Sequence, residues 1–320
     1  MNKLYPIKIS YVAKSRIWGG DNLAEMFGKE NGGDNIGETW ELTVREDEMS
    51  KITHGEYAGM TLGEYIEQDK SVLGSKYDGG RFPLLIKFID AQDKLSVQVH
   101  PDDDYAAAHE KDPGKTEMWY IVDAKPGAKI VYGLAEGIGR EKFAKAVEEG
   151  NIDSAMGYRE VHAGETYFIP SGLLHAIGEG IIIAEIQQNS DLTYRVYDYD
   201  RRDAEGNLRE LHVEKSLAVV KPFSAEEVHA IRFEAKDALD DGDTLAHCRY
   251  FRVKHIKISG EKSIFADNDS FASILCINGK GHILAGGAEY SIEAGDSYFI
   301  PAGMGDFKVE GNMEIILSTL

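Results

Sequence analysis

Two nine-residue segments, 164–172 and 295–303, share the pattern G-[ED]-[TS]-Y-F-I-P-[SA]-G at a separation of 131 residues. Strand-turn units converge on single Gly and Pro positions, but a shared string of this length points to duplication of a larger unit. Each copy reads as a short aromatic and β-branched strand closed by a Pro-x-Gly turn. Equally short runs at 96–100, 118–122, 165–169 and 297–300 are separated by Gly, Asp and Asn, the pattern of a sandwich or barrel. The expectation is an all-β chain of two related halves. Helices are few. Residues 140–149 place Phe143, Ala146 and Val147 on one face, and Thr61-Leu62-Gly63-Glu64 reads as a capping box. The Pro-containing charged segment 221–227, with the acidic stretch 237–243 after it, marks the junction. This gives an N-terminal domain over 1–222 and a C-terminal domain over 223–320.

The repeat also separates the halves chemically. Carried forward, the same offset maps His175 onto Asp306. A metal bound through His175 therefore belongs to the first half alone, and the second half is expected to hold none.

Composition narrows the partners. The chain of 320 residues is 42% hydrophobic and 28% charged, as in folded globular proteins. Its formal net charge of −20 repels nucleic acid and anionic membranes, and no Lys/Arg cluster offsets it, so neither is an expected partner. A small anionic substrate remains compatible, because exposed charges are screened beyond ~8 Å at physiological salt. No stretch approaches the ~20 apolar residues of a membrane span, and the first residues lack an export signal. A soluble cytoplasmic protein is expected, with Cys248 and Cys276 as reduced thiols. Gly114-Lys115-Thr116 lacks the upstream glycine of a P-loop, and Gly137-Ile138-Gly139 lacks the third glycine of a dinucleotide fold, so nucleotide binding is not expected.

Strand alternation suggests where metal chemistry would sit. Ser96, Gln98 and His100 turn to one face of a strand, and a rise of ~3.4 Å per residue puts Gln98 and His100 ~7 Å apart at the backbone. Lys115 and Glu117 repeat the two-residue spacing, and His175 follows the 170–172 turn. Two imidazoles and one carboxylate are usual donors for a catalytic divalent ion, and Gln98 would add a neutral oxygen. Taken singly, each of these residues reads equally well as a core or surface residue. The same donors also suit the open facial triad of an Fe(II) oxygenase.

Four ordered motifs carry a resemblance. They are L-S-V-Q-V-H-P-D at 95–102, K-T-E-M at 115–118, P-S-G-L-L-H-A at 170–176 and L-T-Y-R-V-Y-D at 192–198. With I-W-G-G at 17–20 and G-E-T-W-E at 37–41, they resemble the type I mannose-6-phosphate isomerases over roughly residues 5 to 220. The resemblance implies two cupin-like (jelly-roll) β-barrels with a few short helices. It implies one Zn²⁺ per chain, held by Gln98, His100, Glu117 and His175. It implies an active-site Arg195, substrate contacts at Ser96, Lys115, Lys87 and Glu38, and interconversion of mannose 6-phosphate and fructose 6-phosphate. A sugar phosphate is then the partner; nothing in the chain fixes its oligomeric state.

The chain looks like a short bacterial form, with little room for the helical insertion of long members. Gly114 stands where some relatives have a His, so no acid or base role for that His carries over. Isomerisation moves a proton between adjacent carbons through an enediol. Arg195, permanently cationic, suits enediolate charge and not proton abstraction. Lys115 and Lys87 are candidate phosphate contacts, and Glu38 is a candidate base, hydroxyl partner or turn cap. Arg201-Arg202 reads either as a phosphate contact or as a solvated pair. A sensor that binds the sugar phosphate without turnover is the non-enzymatic alternative.

Overall fold

Short strands assemble into three large antiparallel sheets in the computed structural model, which describes residues 4–30, 35–46, 48–202, 206–235 and 243–320. Residues 237–242 of the acidic junction stretch lie outside these. The chain is mostly β with a few short helices, as expected. The expected helix at 140–149 runs over Arg140–Glu148. The capping box forms, with Thr61 and Glu64 exchanging side-chain and backbone bonds at the start of Leu62–Gln68.

A six-stranded sheet runs in the order Thr166–Ile169, Glu117–Ala124, Ile181–Gln188, Leu84–Ala91, Ile36–Leu42 and Val12–Gly20. Three of these strands, Ile181–Gln188, Leu84–Ala91 and Ile36–Leu42, are buried along their whole length, because both faces of the sheet are covered. Phe88, Met118 and Ile186 pack into the main apolar cluster with residues of the second half such as Phe251, Phe271 and Phe299. A five-stranded sheet runs in the order Met156–Glu160, Lys129–Leu134, His175–Ala176, Val97–Val99 and Tyr194–Tyr197. Val97, Val99, Leu174 and Tyr194 seal one of its faces against Phe143 of the helix Arg140–Glu148 and Val219 of the helix Val213–Val219.

The second half forms one large sheet. Ser297–Ile300, Ala272–Ala285, Gly305–Thr319, Arg252–Ala266 and Thr244–His247 lie side by side, and Ala288–Glu293 pairs with Ala272–Ala285. The first strand of the chain, Ile7–Ile9, crosses into this sheet and pairs with Ser297–Ile300, Ile7 opposite Phe299. Both repeat segments become equivalent strands, Thr166–Ile169 and Ser297–Ile300. Their glycines explain the motif: Gly164 and Gly295 have φ of 90° and 93°, and Gly172 and Gly303 have φ of 92° and 74°. Only glycine takes such left-handed backbone at little cost. His175 is fully buried, whereas Asp306 is exposed and the next residue, Phe307, fills an apolar interior with Ile274, Cys276 and Met313.

One buried ion pair fastens the halves. Lys29 Nζ lies 2.8 Å from Glu41 Oε2 and donates to the Gly295 carbonyl at 2.6 Å, with both side chains no more than 3% exposed. Removing one member of such a pair leaves the other charge stranded in apolar surroundings. We expect Lys29→Met to lower the unfolding free energy in urea by about 3–5 kcal/mol, and the double variant Lys29→Met/Glu41→Leu to regain most of it. Equal stability of the single and double variants would contradict this role.

Candidate metal centre

Neighbouring strands bring the expected ligands into one row. Gln98 stands opposite His175 across the pair Val97–Val99 and His175–Ala176, and opposite Arg195 of Tyr194–Tyr197 on its other side. Residues opposite one another share a face. Val97 and Val99 turn the other way, into the apolar cluster around Phe143, so Gln98 and His100 face the interior. Glu117 opens the strand Glu117–Ala124 of the six-stranded sheet. His100 Nε2 lies 3.4 Å from Glu117 Oε2, and His175 Nε2 lies 3.4 Å from Glu117 Oε1. One ligand atom from each residue falls within 4.8 Å of the others, and all three side chains are buried. Ligand atoms bound about 2.0–2.2 Å from a zinc-like ion lie about 3–4 Å apart, so this spacing suits a divalent metal.

The hydrogen bonding points the same way. His175 Nδ1 is 2.8 Å from the Leu173 carbonyl oxygen; as the donor there, it leaves the Nε2 lone pair facing Glu117. Both Nε2 atoms are buried without a hydrogen-bond partner among the described residues. Buried polar atoms left so are costly, and a metal ion satisfies them.

Electrostatics prepares the same donors. Burial, then the Lys115 charge, lowers the His100 pKa to about 3, and burial also lowers that of His175. Burial pushes the Glu117 carboxyl up, but Lys115 and the two imidazoles outweigh this and hold it well below the usual range. Lys115 Nζ is 3.1 Å from Glu117 Oε2. Burial opposes its charge, yet Glu117 and Glu185 raise its pKa overall. At neutral pH the site therefore offers two neutral imidazoles and an ionised carboxylate, the protonation states that metal binding requires.

The chain resembles known proteins along its length. Residues 6–131 match the model of the phosphomannose isomerase type I catalytic domain, and residues 242–320 that of the mannose-6-phosphate isomerase cupin domain. Mannose-6-phosphate isomerase ManA of Bacillus subtilis (strain 168) is 42% identical over 317 residues, which cover 98% of this chain and 99% of that protein. The chain belongs to the type I phosphomannose isomerases. The Streptococcus mutans mannose-6-phosphate isomerase is 36% identical over 98% of each chain. The crystal structure of mannose 6-phosphate isomerase from Bacillus subtilis superposes with a TM-score of 0.88 at 33% identity, over 98% of this chain and 99% of that one. A putative mannosephosphate isomerase from Archaeoglobus fulgidus, 21% identical with a TM-score of 0.76 over 100% and 99% of the two chains, shares the fold.

Within this type I phosphomannose isomerase, a chain of charges leads away from Glu117. Trp119 Nε1 donates to Glu117 Oε1 at 3.1 Å and to Glu185 Oε2 at 2.9 Å. Lys87 Nζ stands 3.4 Å from Glu185 Oε1 and 3.6 Å from Glu38 Oε2. Glu38 accepts from Trp40 Nε1 at 2.7 Å and from Arg16 Nε at 2.9 Å. Glu38 lies in the strand Ile36–Leu42 and caps no turn. Burial pushes its pKa up, but Lys87 and Arg16 hold it at about 2, which leaves it an acceptor and not a base at neutral pH. Ser96 is buried two residues before Gln98, itself half-buried. Arg195 Nη1 donates to the Glu210 carbonyl at 2.7 Å, while its Nε is buried without a hydrogen-bond partner among the described residues.

Glu185, Trp119 and Arg16 were not singled out from the sequence. The available signal was Glu185 itself, an acidic residue in the aliphatic run 181–186. Burial, then the Glu117 charge, raises its pKa, opposite to Glu117 and Glu38.

Because both imidazoles are already neutral, metal uptake should displace few protons. The calorimetric enthalpy of metal binding to the metal-free protein should not vary among buffers of different ionisation heat between about pH 6 and 8. A strong buffer dependence would mean that the ligands are protonated at rest. Depressed imidazole pKa values also imply stability that is present above the unfolded value of about 6.5 and lost as the pH falls towards the folded one. The melting temperature of the metal-free protein should drop over that range.

Proposed function

We propose that this chain interconverts mannose 6-phosphate and fructose 6-phosphate as a metal-dependent aldose-ketose isomerase. The observation that carries this reading is the buried His100, Glu117 and His175 group in a chain that matches the type I phosphomannose isomerases along its length. In this reading Gln98 completes a four-residue set for one Zn²⁺, which would polarise the substrate's carbonyl and adjacent hydroxyl oxygens. Two cupin-like barrels make up the chain, a catalytic one within 1–222 and a metal-free one within 223–320, with Ile7–Ile9 fastening the first to the second. The enzyme is read as cytoplasmic, in keeping with two buried, unpaired cysteines. The oxygenase alternative loses its ground, since the donor set occurs here in an isomerase family and a fourth ligand fills a position that dioxygen would need.

The remaining residues act on the sugar. Ser96 accepts or donates at its hydroxyls and Glu38 accepts from them, and Lys115 and Lys87 supply positive charge within the buried site. Arg195, next to Gln98 in the strand row, stabilises negative charge on the enediolate. Proton movement between C1 and C2 is assigned to Glu185, whose buried Oε1 lies beside Lys87 Nζ but has no hydrogen-bond partner among the described residues.

A coupled assay for fructose 6-phosphate, run with and without chelator, tests the reading. Activity should vanish on chelation and return with Zn²⁺. His100→Ala should retain neither metal nor activity while keeping its circular dichroism spectrum. Arg195→Ala should keep its metal and lose at least about 100-fold in kcat; Glu185→Gln should likewise keep its metal and lose turnover. Saturable binding of mannose 6-phosphate with no turnover would instead make the chain a sensor.

A further inference from the structure

The second half carries a cavity of its own, away from the metal centre. Its strands enclose an apolar interior, and at one end of that interior a space of about 190 Å³ opens between Arg252–Ala266, the start of Ala272–Ala285 and the end of Gly305–Thr319. Backbone bending creates it. A straight strand would separate Arg252 from Ala266 by about 47 Å, yet both residues line the same cavity. Midway along, Gly260 stands opposite Gly311, and Gly311 opposite Gly281. Gly260 and Gly311 have φ of 96° and 141°, and a Cβ on Gly281 would collide with the Glu310 carbonyl oxygen. This row of glycines lets the sheet fold over.

Strand register builds the wall. His247 is opposite Arg252, Arg252 opposite Thr319, and Thr319 opposite Ala272, so four neighbouring strands turn one row of side chains to one face. Ile256 and Ile258 follow Arg252 on that face and lead into the apolar interior. Phe307, Leu317 and Ile264 supply the apolar lining.

The polar part of the lining is incomplete. Arg252 Nε is buried and has no hydrogen-bond partner among the described residues. Such a donor is costly until an acceptor reaches it. The other charges around it are mixed, Lys76 and Lys254 against Asp267 and Asp269. Lys76 donates to the Leu320 carbonyl at 3.0 Å. Asp267 accepts from Asp269 N at 2.8 Å, and Asp269 accepts from Ser75 Oγ at 2.9 Å. None of these bonds involves Arg252 Nε.

This balance suits an anion of single charge, because a phosphomonoester dianion would face both aspartates. A carboxylate offers two oxygens to a guanidinium edge. The apolar lining asks for an apolar body on the same molecule. The volume, below the ~300 Å³ at which sites for drug-sized ligands begin, keeps that body small.

We propose that this cavity binds a small monocarboxylate with an apolar body, its carboxylate on Arg252 and its body against Phe307, Leu317 and Ile264. The site lies in the other half of the chain from His100, Glu117 and His175, and it stands independently of the isomerase reading.

Sodium benzoate is the probe, titrated calorimetrically into the whole 320-residue chain, with neutral benzamide and inorganic phosphate for comparison. Benzoate should bind saturably, and the two comparison compounds at least about 10-fold more weakly. Arg252→Gln should weaken benzoate binding by about 10- to 100-fold. Thr319→Asp keeps the arginine and sets a carboxylate opposite it on the neighbouring strand, with the same expected loss; it decides alone if Arg252→Gln does not fold. Chelation of bound metal should leave benzoate affinity unchanged. The proposal is overturned by no saturable benzoate binding to the wild-type chain, by wild-type affinity in either folded variant, or by phosphate or benzamide binding as tightly as benzoate. Loss of benzoate binding on chelation would place the probe at the metal group and overturn it equally.

Discussion

The first half depends on keeping ionised side chains in an interior that water barely enters. Lys115, Glu117, Glu185, Lys87 and Glu38 are each at most 8% exposed, and the sequence of pairs reaches solvent only at Arg16. An isolated charge at such depth costs several kcal/mol, so each lysine sits against a carboxylate, Lys115 with Glu117 and Lys87 with Glu185 and Glu38. The indole N–H groups of Trp119 and Trp40 take up carboxylate oxygens that the cations do not reach. This order places Glu117 between a lysine and two imidazoles, while burial and the Lys115 charge suppress the charge on both rings. The donor properties of the centre are thus a product of the whole inner face.

The second half shows what the same scaffold does without that face. Its strands enclose Ile274, Cys276, Ile283, Phe307 and Met313, and their packing fills the interior. Asp306, the positional counterpart of His175, faces outward. Interior polarity separates the halves more sharply than topology does, since both contain the repeat strand with its two left-handed glycines.

Much of this was readable in the chain. The turn glycines and aromatic strands of the repeat depend on local backbone preferences that any strand-turn unit must satisfy. Alternation correctly sent Gln98 and His100 to one side because Val97 and Val99 have an apolar cluster to fill on the other. The ligand set itself became specific only through the family resemblance. Glu185 and Trp119 escaped notice because strands covered on both faces lose the polar-apolar alternation that reveals direction. Asp198 escaped for a different reason. It is buried by pairing with Arg209, eleven positions away, and with Arg201 across a left-handed turn at Tyr199 and Asp200 whose residue types do not announce it.

The pairing of Ile7–Ile9 with Ser297–Ile300 also bears on the order of assembly during synthesis. Ile7 is translated 292 residues before its partner Phe299 (299 − 7). Until then the early strand presents unpaired backbone edges, a template for unwanted pairing between nascent chains. The second half therefore acts as a completion signal: it pairs the waiting edge of Ile7–Ile9, and it supplies the carbonyl of Gly295 that holds Lys29. A product truncated before Gly295 would retain His100, Glu117 and His175 and still lack the seam that joins the two halves.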